Sequence, residues 1–393
     1  MNNRQRMLAV INGQDVDRIP YVPRLDLWYR ANQRAGTLPP KYKNASLIDI
    51  VDDLDLGFHA VVPNFRDLRR PQEDVDRALG IYNLWTMPCR TVLENVQRSV
   101  RLQGDRTFVQ YKTPLGNINT VVLYDENMRQ AGITITHIEQ HAFKNARDYQ
   151  ALGYIFENMR VEPNYDGYLE FAQQVADRGL AVAFVSLAGS PMHLIQREFM
   201  PLEVFFYEMY DHPLELRLLA EKVELYWDRV FEVVSNCPAE VVFVGANYDA
   251  SVTNPPFFEQ HIQPWLKKYA QGLHAHGKYL LTHTDGENRG LLSHYLGSEI
   301  DIADSVCPAP MTKLTIKQVR DIFKGRITIL GGIPSVALLK SSMSQENFER
   351  FLDEFFEMIG RGDHLILGIS DTTPPAAEFD RLLKIRDWIK DFS

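Results

Sequence analysis

The sequence predicts an α/β chain folded as a single (β/α)8, or TIM, barrel, and three observations carry that prediction. Eight short segments rich in β-branched and aliphatic residues recur along the chain, several of them nearly continuous apolar runs, as strands covered on both faces require. From the third onward each is followed by a helical pattern, and strand then helix, repeated, means parallel pairing with right-handed crossovers. No Gly-rich dinucleotide fingerprint follows the first segment, which counts against an open doubly wound sheet.

The eight segments are Ile19 to Arg24, Phe58 to Pro63, Ala181 to Leu187, Val241 to Asn247, Tyr279 to His283, Ile300 to Ser305, Ile327 to Gly331 and Leu365 to Ser370. Met1 to Gly13 reads as an amphipathic helix ahead of them, with Met7, Leu8, Val10 and Ile11 as its apolar positions. Later helices are predicted over Leu202 to Ser235 (one or two), Pro256 to His276, Lys313 to Phe323, Gln345 to Ile359 and Pro374 to Asp391. The regularity breaks between the second and third strands. There Ser99 to Gln103, Thr107 to Thr113 and Asn117 to Leu123 read as an antiparallel meander with turns at Gly104-Asp105 and Pro114-Leu115-Gly116, followed by helices around Asn145 to Asn158 and Tyr165 to Arg178. The chain is thus one domain, 1–393, carrying an insertion of about 64–180. An excursion from a βα connection lies on the catalytic face, where it serves as a lid or a docking surface.

The composition narrows the function. Of 393 residues 45% are hydrophobic and 24% charged, an ordinary globular balance. Acidic residues outnumber basic ones by 51 to 42 and no Lys or Arg run exceeds two, which argues against nucleic acid as a partner. The polar, arginine-bearing first turns are no signal peptide, and no stretch approaches the roughly 20 apolar residues of a membrane span. The three cysteines, Cys89, Cys237 and Cys307, are widely spaced and odd in number, consistent with a reducing, cytoplasmic setting.

Barrel chemistry sits where strands end. The fifth strand ends in His283-Thr284-Asp285-Gly286, where two ligand-type side chains two residues apart project the same way and Gly286 lets the backbone turn after them. The sixth leads into Cys307, and neighbouring strands lie roughly 5 Å apart, so an imidazole, a carboxylate and a thiol, from His283, Asp285 and Cys307, could hold zinc with an open coordination position. Against this stand a buried, inert cysteine and a His/Asp pair that binds substrate without metal. The fourth strand end offers Asn247, Tyr248 and Asp249, as substrate contact, proton donor and acid or base, or as a loop network before the next helix. Asp371, after the eighth strand, is a general acid or base, or the cap of the final helix.

Further candidates are Arg24, Asp26, Trp28 and Tyr29 beyond the first strand, Asn64 to Arg66 beyond the second, and Ser186 to Ser190 with His193 beyond the third. Trp28 and Tyr29 would line an apolar pocket or pack the loop helix. Gly331 and Gly332 lack a nearby cation until Lys340, so they make a weak phosphate loop. His274 and His276 close the helix before the fifth strand and so belong to the opposite, stability face.

From Arg4 to Val16-Asp17-Arg18-Ile19-Pro20, and again at the fourth to seventh strand ends, the chain resembles the uroporphyrinogen decarboxylase superfamily over nearly its whole length. The decarboxylase branch carries Arg-Gln-Ala-Gly-Arg after the first strand. This sequence has Trp28-Tyr29-Arg30-Ala31-Asn32-Gln33-Arg34 there, so a substrate with many carboxylates would lack its counter-ions. Thr113-Pro114-Leu115-Gly116 is similar to a segment of the corrinoid-dependent methyltransferase branch. His283 falls on the histidine of that branch's His-x-Cys zinc motif, but Asp285 replaces the cysteine and no late cysteine stands around Gly368 to Asp371; Cys307 is the substitute that adjacency offers. Gly368-Ile369-Ser370-Asp371-Thr372-Thr373-Pro374-Pro375 and Ser305-Val306-Cys307-Pro308-Ala309-Pro310-Met311-Thr312 most resemble members associated with O-demethylation of methoxylated aromatics.

The resemblance implies a methyltransferase passing a methyl group from a small substrate, a methoxylated aromatic foremost, to a corrinoid on a partner protein, since no Asp-x-His-x-x-Gly corrinoid motif is present. On this reading His283, Asp285 and Cys307 hold a metal, the catalytic candidates are His283 and Asp285 with Asp249, Tyr248 or Asp371 assisting, and Asn247, Arg24, Trp28, Tyr29 and Ser186 are the substrate-side candidates. A homodimer fits the superfamily. Two other functions remain open: a decarboxylase or lyase acting on a carboxylated molecule, and a non-catalytic ligand-binding protein.

Overall fold

In the computed structural model, which describes residues 1–245 and 247–391, the chain forms a mixed α/β structure around a six-stranded parallel sheet. Twelve strands are present among the described residues. The first six are β1 (Cys89–Leu93), β2 (Gln97–Gln103), β3 (Arg106–Thr113), β4 (Gly116–Leu123), β5 (His137–Gln140) and β6 (Met159–Pro163). The parallel sheet comprises β7 (Ala183–Ser186), β8 (Val241–Val244), β9 (Tyr279–His283), β10 (Ile302–Val306), β11 (Thr328–Pro334) and β12 (Leu365–Ser370). Their spatial order is their chain order, each neighbour parallel to the next, which is what short helical crossovers of one hand produce.

β7 to β12 are the third to eighth strands that the apolar runs predict; the fifth and eighth agree to the residue. Ala246, within the expected fourth strand, lies outside the described residues. The first two runs form no ladder. Pro20 and Pro23 interrupt Ile19 to Arg24 and remove two of its backbone donors, so only isolated contacts form. Tyr21 bridges Leu367 in parallel, with Val22 N donating to Leu367 O at 2.7 Å and Leu367 N to Pro20 O at 2.9 Å. On the other edge Gly57 N donates to Tyr21 O at 2.7 Å, and Val182 N to Ala60 O at 3.1 Å.

Alternation along the strands divides the apolar residues between two clusters. One face gathers Val22, Val61, Val182, Phe184, Val241, Phe243, Leu281, Ile302, Leu330 and Ile366. The other turns Tyr21, Ala183, Val242, Leu280, Ala303, Ile329, Leu365 and Leu367 toward the helices. The amino-terminal helix, Asn3–Ile11, starts at a capping box on Asn2 and sends Met7 and Val10 into the first cluster.

The interrupting segment is a four-stranded antiparallel sheet in the order β2-β3-β4-β5, together with a separate β1-β6 pair. The three meander strands and the Gly104-Asp105 turn match expectation. β5, exposed at three of its four residues, and the β1-β6 pair have no counterpart in the sequence reading. The stretch from Leu202 holds two helices, Leu202–Asp211 and Pro213–Ser235, divided where Pro213 can begin a helix but not continue one.

Candidate active site at the strand ends

His283 is the last residue of β9, and its register partner on β10 is Asp304, not Cys307. Both side chains are buried. The imidazole Nδ1 lies 2.6 Å from Asp304 Oδ2. An ionised carboxylate only accepts, so this contact puts the imidazole proton on Nδ1 and leaves Nε2 turned the other way. There it meets Asp371, just past β12, at 3.3 Å from Oδ1. Asp285, two residues beyond His283, completes the group: one ligand atom from each of His283, Asp285 and Asp371 lies within 4.8 Å of the others.

Charge holds this arrangement together. Arg24 donates from Nη1 to Asp371 Oδ1 at 2.9 Å and from Nε to Asp26 Oδ1 at 3.2 Å. Arg30 donates to the second oxygen of Asp26 at 2.6 Å and from Nε to Gly132 O at 2.8 Å, which ties the mouth to the inserted segment. Behind Asp304, His59 Nε2 stands 3.8 Å from Oδ1, its side chain 6% exposed. Carboxylates therefore alternate with guanidinium and imidazole groups from Arg30 through Asp26, Arg24, Asp371, His283 and Asp304 to His59.

Desolvation works against each buried ion, and the partners decide the outcome. Burial alone would lower the His283 imidazole, but the hydrogen bond to Asp304 and the charges of Asp371 and Asp304 raise it above its ordinary value. Burial would raise Asp304, yet His283 and His59 hold it well below the usual carboxylate range. Burial does prevail at Asp285, whose carboxyl is raised.

Gly286 earns its place through φ of 119° and a close approach: a Cβ there would lie 2.9 Å from Tyr248 O. Asn288 donates to Gly286 O at 2.9 Å and also bonds Thr284 O, which stiffens the turn.

The other sequence candidates fall in different places. Cys307 is buried beside the cluster and outside its 4.8 Å group; burial, with the charges of Asp285 and Asp371, pushes its thiol up to about 12. Tyr248 is buried on the helix side, its hydroxyl 3.0 Å from Thr282 Oγ1, and Thr282 points opposite to its neighbour His283. Its ring packs on His193, Phe258 and Tyr295. The structure thus puts Tyr248 and His193 in packing, His193 accepting from Gly189 N at 3.1 Å. Asp249 serves its loop, accepting from Ser251 N at 2.8 Å and Glu287 N at 3.0 Å. Asn247, at φ 37°, reaches Asp285 Oδ2 at 3.4 Å.

Trp28 is 2% exposed and stacks on Phe379 at 5.4 Å, while Tyr29 donates to Ala45 O at 2.9 Å, so both pack the loop helix instead of facing His283. The Ser186 hydroxyl accepts from Ala188 N at 3.1 Å. Arg66 pairs with Asp74 and covers the Tyr124 ring at 4.5 Å. Gly331 and Gly332 lie inside β11, where the Ser370 hydroxyl accepts from Gly332 N at 3.0 Å, so they form strand and not a phosphate loop. His274 pairs with Asp301 at 2.9 Å away from this site.

Two residues of the cluster, Asp304 and His59, carry no role in the sequence reading. Asp304 had a usable signal, since counting β10 against β9 pairs it with His283. His59 had none, because its distance from Asp304 depends on how the sheet edge bends around.

The donor set suits a divalent metal. Two ligands at roughly 2.1 Å from a tetrahedral zinc stand about 3.4 Å apart, and His283 Nε2 and Asp371 Oδ1 are separated by 3.3 Å. One imidazole and two carboxylates would leave a fourth position for substrate. A carboxylate behind the ligating histidine is the usual outer support of such sites.

No protein-family model matches the chain, and no curated protein does. Among solved structures, the chain is similar to a methyltransferase from Methanosarcina mazei, at 12% sequence identity and a TM-score of 0.51, covering 100% of this chain and 99% of that one. At that identity the likeness concerns the fold.

Proposed function

We propose that this chain is a methyltransferase that moves a methyl group from a small methylated substrate, a methoxylated aromatic foremost, to the cobalt of a separate corrinoid protein. The observation that carries the reading is the convergence of His283, Asp285 and Asp371 at the ends of β9 and β12. Full-length similarity in fold to a methanogen methyltransferase supports it. Its framework is a single closed (β/α)8 barrel with 64–180 as the insertion. The bonds from Val22 to Leu367, Gly57 to Tyr21 and Val182 to Ala60, and an apolar cluster running from Val22 to Ile366, support that closure.

In the transfer, the methyl carbon's bond to oxygen breaks as its bond to reduced cobalt forms, and the leaving oxygen keeps the electron pair and needs a proton or a cation. His283, Asp285 and Asp371 would hold a metal, zinc by donor type, whose Lewis acidity eases departure of that oxygen. The chain's own residues orient and shield the reacting centre. Asp304 aims the imidazole, Arg24 fixes Asp371, and Asn247 steadies Asp285. Decarboxylation of a carboxylated substrate is less well served, because Arg24 is already paired with Asp26 and Asp371.

The test is His283→Ala, assayed for phenol release and cobalt methylation with a methoxylated benzoate and reduced cobalamin. Turnover should fall about a hundredfold or more with circular dichroism unchanged. Full activity in the folded variant would remove the site.

A further inference from the structure

The geometry points to Asp304, backed by His59, as the positioning residue that fixes which nitrogen His283 presents to the substrate-facing cluster. This rests on the metal-site reading above and assigns new roles to two buried side chains within it. His283 has two ring nitrogens and only one faces Asp285 and Asp371. If the proton sat on Nε2, the imidazole would offer those carboxylates a donor and could not ligate a cation through the same atom. Asp304 removes the ambiguity. Its Oδ2 lies 2.6 Å from Nδ1 and, being ionised, can only accept.

What keeps Asp304 in place is independent of the metal. Its backbone is fixed by the sheet, with its Cα registered against His283 on one side and Leu330 on the other. Its carbonyl accepts from Thr284 N at 2.7 Å and Thr284 Oγ1 at 3.0 Å, so the strand end that carries His283 is clamped to the strand that carries Asp304. The second carboxylate oxygen faces His59 at 3.8 Å. With the side chains of Asp304 at 3%, His59 at 6% and His283 at 7% exposed, little water competes for these partners. A buried carboxylate between two imidazoles, on a strand buried along its whole length, serves no evident folding need, since an apolar residue would cost less desolvation there.

Two measurements test the assignment. Zinc affinity is compared between wild type, Asp304→Asn and His59→Gln by competition with a chromophoric chelator. Nitrogen-15 NMR of the metal-free wild type at alkaline pH, with His283 identified by its loss in His283→Gln, reports the tautomer. The expected results are an Nδ1–H tautomer, a loss of about 10-fold to 100-fold in zinc affinity for Asp304→Asn, and a smaller loss for His59→Gln. An Nε2–H tautomer in wild type, or folded Asp304→Asn that binds zinc as tightly as wild type, overturns the proposal. Should Asp304→Asn fail to fold, the wild-type tautomer decides alone. Wild type that binds no zinc would sink the metal reading, and the tautomer would still judge Asp304.

Discussion

Tyr248 and His283 show how one residue step decides a role. Tyr248 touches Thr282, and Thr282 and His283 are consecutive on β9, yet their side chains leave the strand on opposite faces. A phenol on the helix side cannot protonate a group held beside His283. Tyr248→Phe should therefore leave turnover near wild type while lowering stability by about 0.5–1.5 kcal/mol, the usual worth of one buried hydrogen bond. Chemical denaturation and the methyl-transfer assay read the two effects separately. A large loss of activity without loss of stability would return the tyrosine to the chemistry. Asp371 illustrates the reverse case: a residue with a plain capping alternative, which in the fold accepts from Arg24 at 2.9 Å and faces His283.

Among elements, the helix Asp26–Ala35 carries the outermost part of the charge chain. Asp26 stands in its first turn, where the helix dipole favours an anion, and both arginines next to it reinforce that. Burial would raise its carboxyl, but the charges of Arg24 and Arg30 bring it down from 3.8 to about 2. The folded value is thus below the unfolded one. Its contribution to stability is complete above the unfolded value and fades as pH falls from about 4 toward 2. Asp26→Asn should flatten that part of the stability-versus-pH curve, measured by urea unfolding at several acidic pH values. Parallel curves for variant and wild type would show that the pairing contributes nothing.

For the whole molecule, the proposed closure of the sheet on itself makes a prediction about its edges. Closure makes the contacts of Val22, Gly57, Val182 and Leu367 part of the central framework, whereas a sheet with free edges would let them fray. Hydrogen exchange distinguishes the two. The amides of Val22 and Leu367 should exchange only through global unfolding, as slowly as Leu281 in the middle of β9. Rapid exchange at Val22 alongside slow exchange at Leu281 would mean an open edge. No helix among the described residues is long and apolar enough to cross a membrane, and the large exposed apolar residues include Tyr207, Tyr210, Leu214 and Leu218 along one pair of helices.

Amino-acid order alone determined the elements whose physics is local. Tyr279–His283 and Leu365–Ser370 announce themselves as short aliphatic runs, and Gly104-Asp105 as a turn, because periodicity and backbone freedom are written in neighbouring residues. The position of His283 and Asp371 at strand ends was legible for the same reason, since ligand-type side chains follow apolar runs there. Tertiary structure decided what they meet. Asp304 and not Cys307 stands opposite His283, β1 finds β6 across more than sixty residues, and His59 reaches Asp304 from a segment that forms no ladder. Strand register, twist and the bend at the sheet edge set those encounters, and each is settled only when distant segments pack against one another.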